Sequence, residues 1–329
     1  GLVTTEAGGT AQFTVVLNSQ PTADVTIGLS SSDTTEGTVS PASVTFTSAN
    51  WNTAQTVTVT GVNDGLDDGD IAYTIVTAAA ASADANYNGL NPSDVSVTNT
   101  DNDTAGITVN PTSGLVTTEA GGTAQFTIVL TSQPSADVTI GLSSSDTTEG
   151  TVSPASLTFT SVNWNTAQTV TVTGADDALA DGNIAYSIVT AAATSADAAY
   201  NGLDPTNVSA TNNDDEAPGI TVSPTSGLVT TEVGGTAQFT VVLNTQPTAN
   251  VTIGLSSSDL TEGTVSPASL TFTSVNWNTA QTVTVTGVDD SVDDGDIAYT
   301  IVTAAAASAD GNYNGLNASD VSVTSTDND

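Results

Sequence analysis

The chain has 329 residues, of which 36 are Asp or Glu and none is Lys, Arg or His, so its formal charge is −36. This charge disfavours binding to nucleic acid and to anionic membrane surfaces, and it attracts cations. The absence of Cys, His and Lys excludes disulfides, thiolate or imidazole catalysis and Schiff-base chemistry. No apolar run approaches the ~20 residues that a helix needs to span a bilayer, so we expect no membrane insertion.

A long internal repeat organises the chain. The hexapeptide GLVTTE recurs at intervals of 113 residues, beginning at Gly1, Gly114 and Gly227. A period of this length matches a whole small β domain instead of one coil of a solenoid. We therefore predict three units, at residues 1–103, 104–216 and 217–329. The segment 104–113 has no counterpart ahead of the first unit, so we expect that unit to lack its first strand and the chain to be a window of a longer tandem array.

Apolar residues alternate with polar ones between turns rich in Gly, Pro, Asn and Asp, which predicts short strands. In the first unit these are Ala11–Leu17, Val25–Leu29, Val44–Phe46, Val57–Val59, Ile71–Ile75 and Val95–Val97, and Ile107–Val109 begins the next unit. Seven strands in about 110 residues are typical of an immunoglobulin-like sandwich. We predict an all-β chain of three tandem seven-stranded immunoglobulin-like sandwiches that form an elongated rod.

The predicted strand directions bring acidic residues from distant segments to one end of each unit. In the first unit this end holds Glu6, Asp33 and Glu36, the loop Asp64–Asp70, and the pair Asp101 and Asp103. No Lys or Arg is available to neutralise these charges, so water, a metal or a partner must do so. Carboxylate oxygens suit Ca²⁺, which accepts 6–8 oxygen ligands with flexible geometry. We predict Ca²⁺ over Mg²⁺, which demands tighter octahedral placement, and over zinc, which prefers His and Cys.

Differences between the units narrow the ligand choice within the acidic loop. Asp67 and Asp70 are replaced by Ala180 and Asn183 in the second unit, whereas the acids at positions 64 and 68 persist. Asp64 and Asp68 are therefore the stronger ligand candidates. The alternative interpretation is that these acidic side chains are only hydrated surface charges at the ends of loops.

The first-unit residues GGTAQFTVVL after a Glu, a loop rich in Asp and Gly before IAYTIV, and a final TDND resemble Calx-beta domains. The variety resembled is repeated in large bacterial surface proteins and adhesins. The resemblance implies Ca²⁺ at the linker end of each sandwich, with Glu6, Asp64, Asp68, Asp101 and Asp103 at ligand positions. The acidic loop here, DGLDDGD, departs from the family in lacking the glutamates that often follow. The full candidate ligand set is Glu6, Asp33, Asp64, Asp68, Asp101, Asp103, Glu119, Asp146, Asp177, Asp181, Asp214, Glu216, Glu232, Asp259, Asp290, Asp294, Asp327 and Asp329.

Three functions remain open from the sequence. The first is an extracellular, calcium-rigidified rod, part of an adhesin stalk or a cell-surface filament, whose partners are neighbouring repeats and cell-surface or matrix ligands. The alternative is a glycan- or receptor-binding adhesin module, which would need a loop with exposed aromatics in one unit. A hydrolase that uses paired carboxylates is the third. Because the acidic clusters recur with the architecture and mark no unique cleft, we expect no enzyme.

Overall fold

The chain folds into strands that recur with the sequence period. The computed structural model describes residues 1–289 and 291–328, and its regular structure in these residues consists of strands alone. The first unit contains β1 (Leu2–Thr5), β2 (Thr10–Val15), β3 (Val25–Ser31), β4 (Gly37–Ser40), β5 (Ser43–Phe46), β6 (Gln55–Gly61), β7 (Ile71–Thr77), β8 (Ala81–Ser82) and β9 (Val95–Thr100).

The second unit repeats this order and adds one strand at its start, and the third does the same except that an isolated bridge between Thr252 and Ala307 replaces the short strand β8. The second contains β10 (Ile107–Asn110), β11 (Leu115–Thr118), β12 (Thr123–Leu130), β13 (Val138–Ser144), β14 (Gly150–Ser153), β15 (Ser156–Phe159), β16 (Gln168–Gly174), β17 (Ile184–Thr190), β18 (Thr194–Ser195) and β19 (Val208–Asn213). The third contains β20 (Ile220–Ser223), β21 (Leu228–Thr231), β22 (Thr236–Leu243), β23 (Val251–Ser257), β24 (Gly263–Ser266), β25 (Ser269–Phe272), β26 (Gln281–Gly287), β27 (Ile297–Thr303) and β28 (Val321–Thr326).

Each unit is a sandwich of two sheets, so the predicted immunoglobulin-like class is confirmed. In the second unit one sheet has the order β11-β19-β17-β13-β15, with β18 beside β13, and the other has the order β10-β12-β16-β14. The inward positions are apolar. On β13, for example, Val138, Ile140 and Leu142 are buried against Phe126 and Phe159. Burial of each such side chain contributes roughly 1.5–3 kcal/mol before the entropy of ordering the chain is counted.

The structure differs from the sequence interpretation at the start of the second and third units. The sequence predicted one strand there, but the segment divides between the two sheets: β10 pairs with β12 in one sheet, and β11 pairs in parallel with β19 in the other. Gly114, with a φ of 78°, lies between them and permits the chain to cross. The parallel pair places the end of β11 beside the end of β19. Glu119 therefore lies next to Asp214 although 95 residues separate them in sequence.

No helix in the described ranges has the length and hydropathy needed to cross a membrane.

Candidate metal centres

The first acidic group in the first unit, here the linker group, consists of Glu6, Asp101 and Asp103. One carboxylate oxygen from each lies within 4.8 Å of the others. Strand β1 delivers Glu6, because Thr5 pairs with Thr100 and the Glu6 amide donates to the Thr100 carbonyl at 3.1 Å. The turn after β9 is folded around Asp101, whose carboxylate accepts from the amides of Gly69 at 2.8 Å and Asp103 at 2.7 Å.

The second group, here the loop group, consists of Glu36, Asp64 and Asp68, again with oxygens within 4.8 Å of one another. Glu36 precedes β4, whereas the two aspartates lie on the loop between β6 and β7. Asn99 on β9 donates its side-chain amide to the Glu36 carboxylate at 3.3 Å. Asp64 accepts from the Leu66 amide at 2.8 Å, which turns the loop.

Both groups concentrate negative charge in places from which water is partly removed. Glu6 is only 2% exposed, and burial together with repulsion from Asp101, Asp64 and Asp103 raises its pKa to about 7. The pKa of buried Glu36 is also raised, mainly by loss of solvation. These carboxylates therefore lie where a proton or a cation is favoured.

The two groups interact electrostatically. The pKa values of Glu6, Glu36, Asp68 and Asp103 are all raised, first by desolvation and further by neighbouring carboxylates. Asp64 is among those neighbours in all four cases. Asp64 therefore couples the linker and loop groups electrostatically, and the two groups together are called the acidic centre.

The second unit repeats this centre and has a third group of carboxylates. Its linker group is Glu119, Asp214 and Glu216, its loop group is Glu149, Asp177 and Asp181, and a further group joins Asp176 and Asp215 to Glu216. Burial and the neighbouring carboxyl group of Glu216 raise the pKa of Glu119 to about 8. The Asp214 carboxylate accepts from the amides of Gly182 at 2.6 Å and Glu216 at 2.8 Å, as Asp101 does in the first unit.

In the third unit the described residues repeat part of the arrangement. Glu232 is buried and accepts from the Asn328 amide at 3.3 Å, and Asp327 accepts from the Gly295 amide at 2.7 Å. Asp294 is exposed on the equivalent loop. The candidates Asp290 and Asp329 lie outside the described residues.

Several carboxylate oxygens in these groups are buried and lack a hydrogen-bond partner. Within the described residues they include Oδ2 of Asp103 and Oε2 of Glu119, Glu149 and Glu216. Glu119 and Glu149 are only 2% and 5% exposed. A buried anionic oxygen without a partner is costly, so each of these atoms requires a proton or a cation.

The structure places three sequence candidates outside the acidic groups. Asp33 and Asp146 are exposed, Asp259 is half-buried, and none of the three belongs to the groups formed by the described residues. The Asp33 carboxylate accepts from the Thr35 amide at 3.0 Å and from its hydroxyl at 2.5 Å, which lowers the Asp33 pKa. The loop group instead contains Glu36, and Glu149 in the second unit. The sequence contained a signal for this outcome. Asp-Thr-Thr favours a turn in which the Asp carboxylate accepts hydrogen bonds from residues of the same turn.

The acidic loop also contacts the next unit. The Gln133 amide donates to the Gly65 carbonyl at 2.5 Å, and the Asp67 carboxylate accepts from the Ala105 amide at 2.7 Å. At the second junction the Gln246 amide donates to the Ala178 carbonyl at 2.7 Å, and the side chain of Asn312 donates to the Ala180 carbonyl at 2.6 Å. In each case one loop supplies both candidate ligands and the inter-unit contact.

A second acidic pattern, DANYNG at Asp84–Gly89, resembles the first half of a calcium-binding loop but is explained by local structure. The buried Asp84 carboxylate accepts from the amides of Thr22 at 2.8 Å and Asn86 at 2.9 Å, and these bonds lower its pKa. Asp84 belongs to none of the acidic groups found in the described residues. Its carboxylate joins two loops.

Comparison with known proteins identifies no family for the chain. No protein-family model matches it, and a search of curated proteins gives no significant match. Similar solved structures include the calcium-binding domain CBD12 of CALX1.1, with 13% identity, a TM-score of 0.30, and coverage of 61% of this chain and 80% of that one.

Two multi-domain proteins are also similar. Domains EC22–24 of mouse cadherin-23 share 12% identity at a TM-score of 0.33, with coverage of 100% of this chain and 96% of that one. Domains 4–9 of the surface-layer protein SbsC share 14% identity at a TM-score of 0.27, with coverage of 95% and 40%. At these values the similarities carry no argument about what this chain does.

Proposed function

We propose that the chain is a structural segment of an extracellular tandem-repeat rod, in an adhesin stalk or a cell-surface filament, and that Ca²⁺ stiffens its junctions. The observation that carries the proposal is the placement of the acidic centres. Buried carboxylate oxygens without partners belong to the acidic groups at the end of each of the first two units. The loop that supplies two aspartates to each loop group also contacts the following unit.

The residues fit a hard cation with oxygen ligands. Each group supplies three carboxylates whose oxygens lie within 4.8 Å of one another, a spacing compatible with Ca²⁺–oxygen bonds of about 2.3–2.6 Å. Neither Cys nor His is present to favour a softer metal. In the first unit Glu6, Asp101 and Asp103 would hold one ion and Glu36, Asp64 and Asp68 another. Bound Ca²⁺ would supply the positive charge that the chain lacks.

The proposed stiffening follows from the shared loop. Asp64 and Asp68 belong to the loop group, and Gly65 between them accepts the hydrogen bond from Gln133 of the second unit. Fixing the two aspartates orders the backbone that makes this contact. Without a cation the carboxylates repel one another, and the loop loses the restraint that holds it against the second unit.

Thermal unfolding in millimolar Ca²⁺, in matched Mg²⁺ and in excess chelator, at one ionic strength, tests this proposal. We expect a rise in midpoint that is specific to Ca²⁺, because a ligand that binds only the folded state stabilises it. Small-angle scattering under the same conditions should give a longer and less flexible particle with Ca²⁺. Coincident unfolding curves in all three buffers would refute the calcium proposal.

Terbium luminescence locates the sites independently. Trp164 lies against Gly65 at the first junction, so it can sensitise terbium bound in the loop group of the first unit. Asp177→Asn removes a charge from the loop group of the second unit. We expect this variant and Asp64→Asn to lower the number of bound ions. The matched control is Asp24→Asn, because Asp24 is exposed and outside the acidic groups. Equal ion numbers in the three variants would contradict the assignment.

A further inference from the structure

The first unit has an open groove that is filled in the other two units. The groove has a volume of about 450 Å³, and its lining includes Val15, Leu17, Ile27, Tyr87 and Leu90. Its lining contains no charged side chain. Within the described residues, the adjoining sheet of this unit has only three strands, in the order β2-β6-β4, so the outer edge of β2 carries no partner strand.

The second unit shows what occupies the equivalent position. There β10 pairs antiparallel with β12, with Ile107 opposite Leu130 and Val109 opposite Ile128. Ile107 and Val109 pack against the core, and the Gly106 carbonyl accepts from the Thr131 amide at 3.0 Å. The third unit repeats this arrangement, with Ile220 and Val222 against its core.

The lining of the first unit is more exposed than its counterparts. Leu90 is 54% exposed, whereas Leu203 in the second unit is half-buried. Tyr87 is 9% exposed and Tyr200 is fully buried. Strand β2 ends at Val15, two residues before the point that corresponds to the end of β12. The first unit therefore has the shape of the other two with one strand removed.

We propose that this groove binds an added β-strand of the linker type, an uncharged extended segment with the pattern Gly-Ile-Thr-Val-Asn-Pro. The internal comparison predicts an antiparallel strand with its Ile opposite Leu17 and its Val opposite Val15. Main-chain hydrogen bonds to the β2 edge supply affinity, and the two apolar side chains supply specificity.

The experiment uses the full chain and a capped, fluorescently labelled peptide with the sequence of residues 105–113, AGITVNPTS. We expect saturable binding of one peptide per chain, measured by fluorescence polarisation. We also expect amide hydrogen exchange at residues 14–17 to slow by about tenfold or more. A peptide with Ile107→Asp and Val109→Asp should not bind, because it places two charges in an apolar groove.

Two protein variants locate the binding site. Leu90→Glu adds a charge to the groove at an already exposed side chain, so we expect it to fold normally and to weaken peptide binding at least tenfold. Val275→Glu, at an 87% exposed position of the third unit, is the matched control and should bind as the original chain does. Equal binding to both variants would overturn the proposal.

Two further outcomes would also overturn it. One is binding of the Asp-substituted peptide as tight as that of the original peptide. The other is a stable dimer with residues 14–17 protected that excess peptide does not dissociate, because β2 would then pair with a second copy of the chain. The peptide contains no carboxylate side chain, so its binding should persist in excess chelator. This separates failure of the strand proposal from failure of the calcium proposal.

Discussion

The backbone amide of Gln133 donates a hydrogen bond to the carbonyl oxygen of Gly65 at 2.5 Å, which joins the base of the second unit to the acidic loop of the first. Leu66, the next residue of that loop, forms a parallel bridge with Gln133. Asp64 and Asp68 flank these two residues and belong to the loop group. Ordering of the acidic centre and ordering of the junction therefore depend on the same few residues.

Gly65→Val should loosen the first junction without unfolding the units. A Cβ at position 65 would lie 3.4 Å from Cζ2 of Trp164 and 3.6 Å from Cβ of Gln133, so the added methyl groups must displace the loop from the second unit. The chain has no Cys, so two introduced cysteines, one on each unit, can carry spin labels at unique sites. We expect a broader distance distribution than in the original chain.

Gly311→Val is the control for that experiment, because a Cβ at position 311 meets no atom within 4 Å. It should leave the distribution unchanged. If Gly65→Val and Gly311→Val give the same narrow distribution, the loop does not restrain the junction.

Asp64→Asn should change stability in opposite directions with and without Ca²⁺. The negative charge of Asp64 is one cause of the raised pKa values of Glu6, Glu36 and Asp68. Removing this charge therefore relieves repulsion when no cation is present. Asn retains an oxygen that accepts from the Leu66 amide, so the turn should survive. In chelator we expect the unfolding midpoint of the first unit to rise by a few degrees, the change expected from about 1 kcal/mol in a domain of this size.

In millimolar Ca²⁺ the same variant should melt below the original chain, because it has lost a ligand. Differential scanning calorimetry in the two buffers measures both changes. Asp24→Asn, at an exposed position away from the groups, should show no such reversal. A shift of the same sign in both buffers would exclude Asp64 as a ligand.

The metal-free chain should become less stable as the pH rises from 5 to 8. The pKa of Glu6 is raised from 4.5 to about 7 and that of Glu119 to about 8, so the folded state binds these protons more tightly than the unfolded chain does. The stabilisation that the two protonated glutamates contribute is complete below their unfolded-state pKa near 4.5. It is lost as the pH rises through their pKa values in the folded state. For Glu6 the shift corresponds to on the order of 3 kcal/mol.

Urea unfolding in chelator at several pH values measures this dependence. Glu6→Gln should flatten the curve, because the amide does not titrate. An unfolding free energy that rises between pH 5 and pH 8 in chelator would contradict the raised pKa values.

Strand alternation and direction were sufficient to predict which end of the sandwich gathers the acids. Glu6, Asp64 and Asp101 follow or precede predicted strands whose directions leave them at one end, and the structure brings their carboxylates into one centre. What a strand pattern does not show is the choice between two acids in one loop. In SSDTTEG the Asp33 carboxylate accepts a hydrogen bond from the Thr35 amide within the turn, and Glu36 is the acid that is buried.

The parallel pairing of β1 with β9 was also beyond the sequence pattern. The segment Leu2–Thr5 has only two apolar residues, and its partner lies about 95 residues away. Short edge strands carry little periodic signal, because tertiary pairing instead of local preference decides them. Only the three-dimensional fold shows that the residue after this strand lies beside Asp101.

Asn99→Asp should destabilise the metal-free first unit strongly. Asn99 is buried, its side-chain amide donates to Glu36 at 3.3 Å and to the Val62 carbonyl at 3.1 Å, and its oxygen accepts from the Thr4 hydroxyl at 3.0 Å. Aspartate would replace the donor by a second buried anion beside Glu36. We expect a loss of about 3 kcal/mol or more in chelator at pH 7.5, from unpaired burial together with repulsion.

Asn99→Ser is the matched control, because the third unit carries buried Ser325 at this position. It removes the same donor without adding charge, so we expect a loss of only about 1 kcal/mol in urea unfolding. Lowering the pH to 5 should recover much of the loss in Asn99→Asp, because a proton shared with Glu36 restores a donor, whereas the Ser variant should gain no comparable recovery. Equal losses in the two variants at both pH values would show that Asn99 acts only through its shape, and that the charge of Glu36 does not govern the stability of this centre.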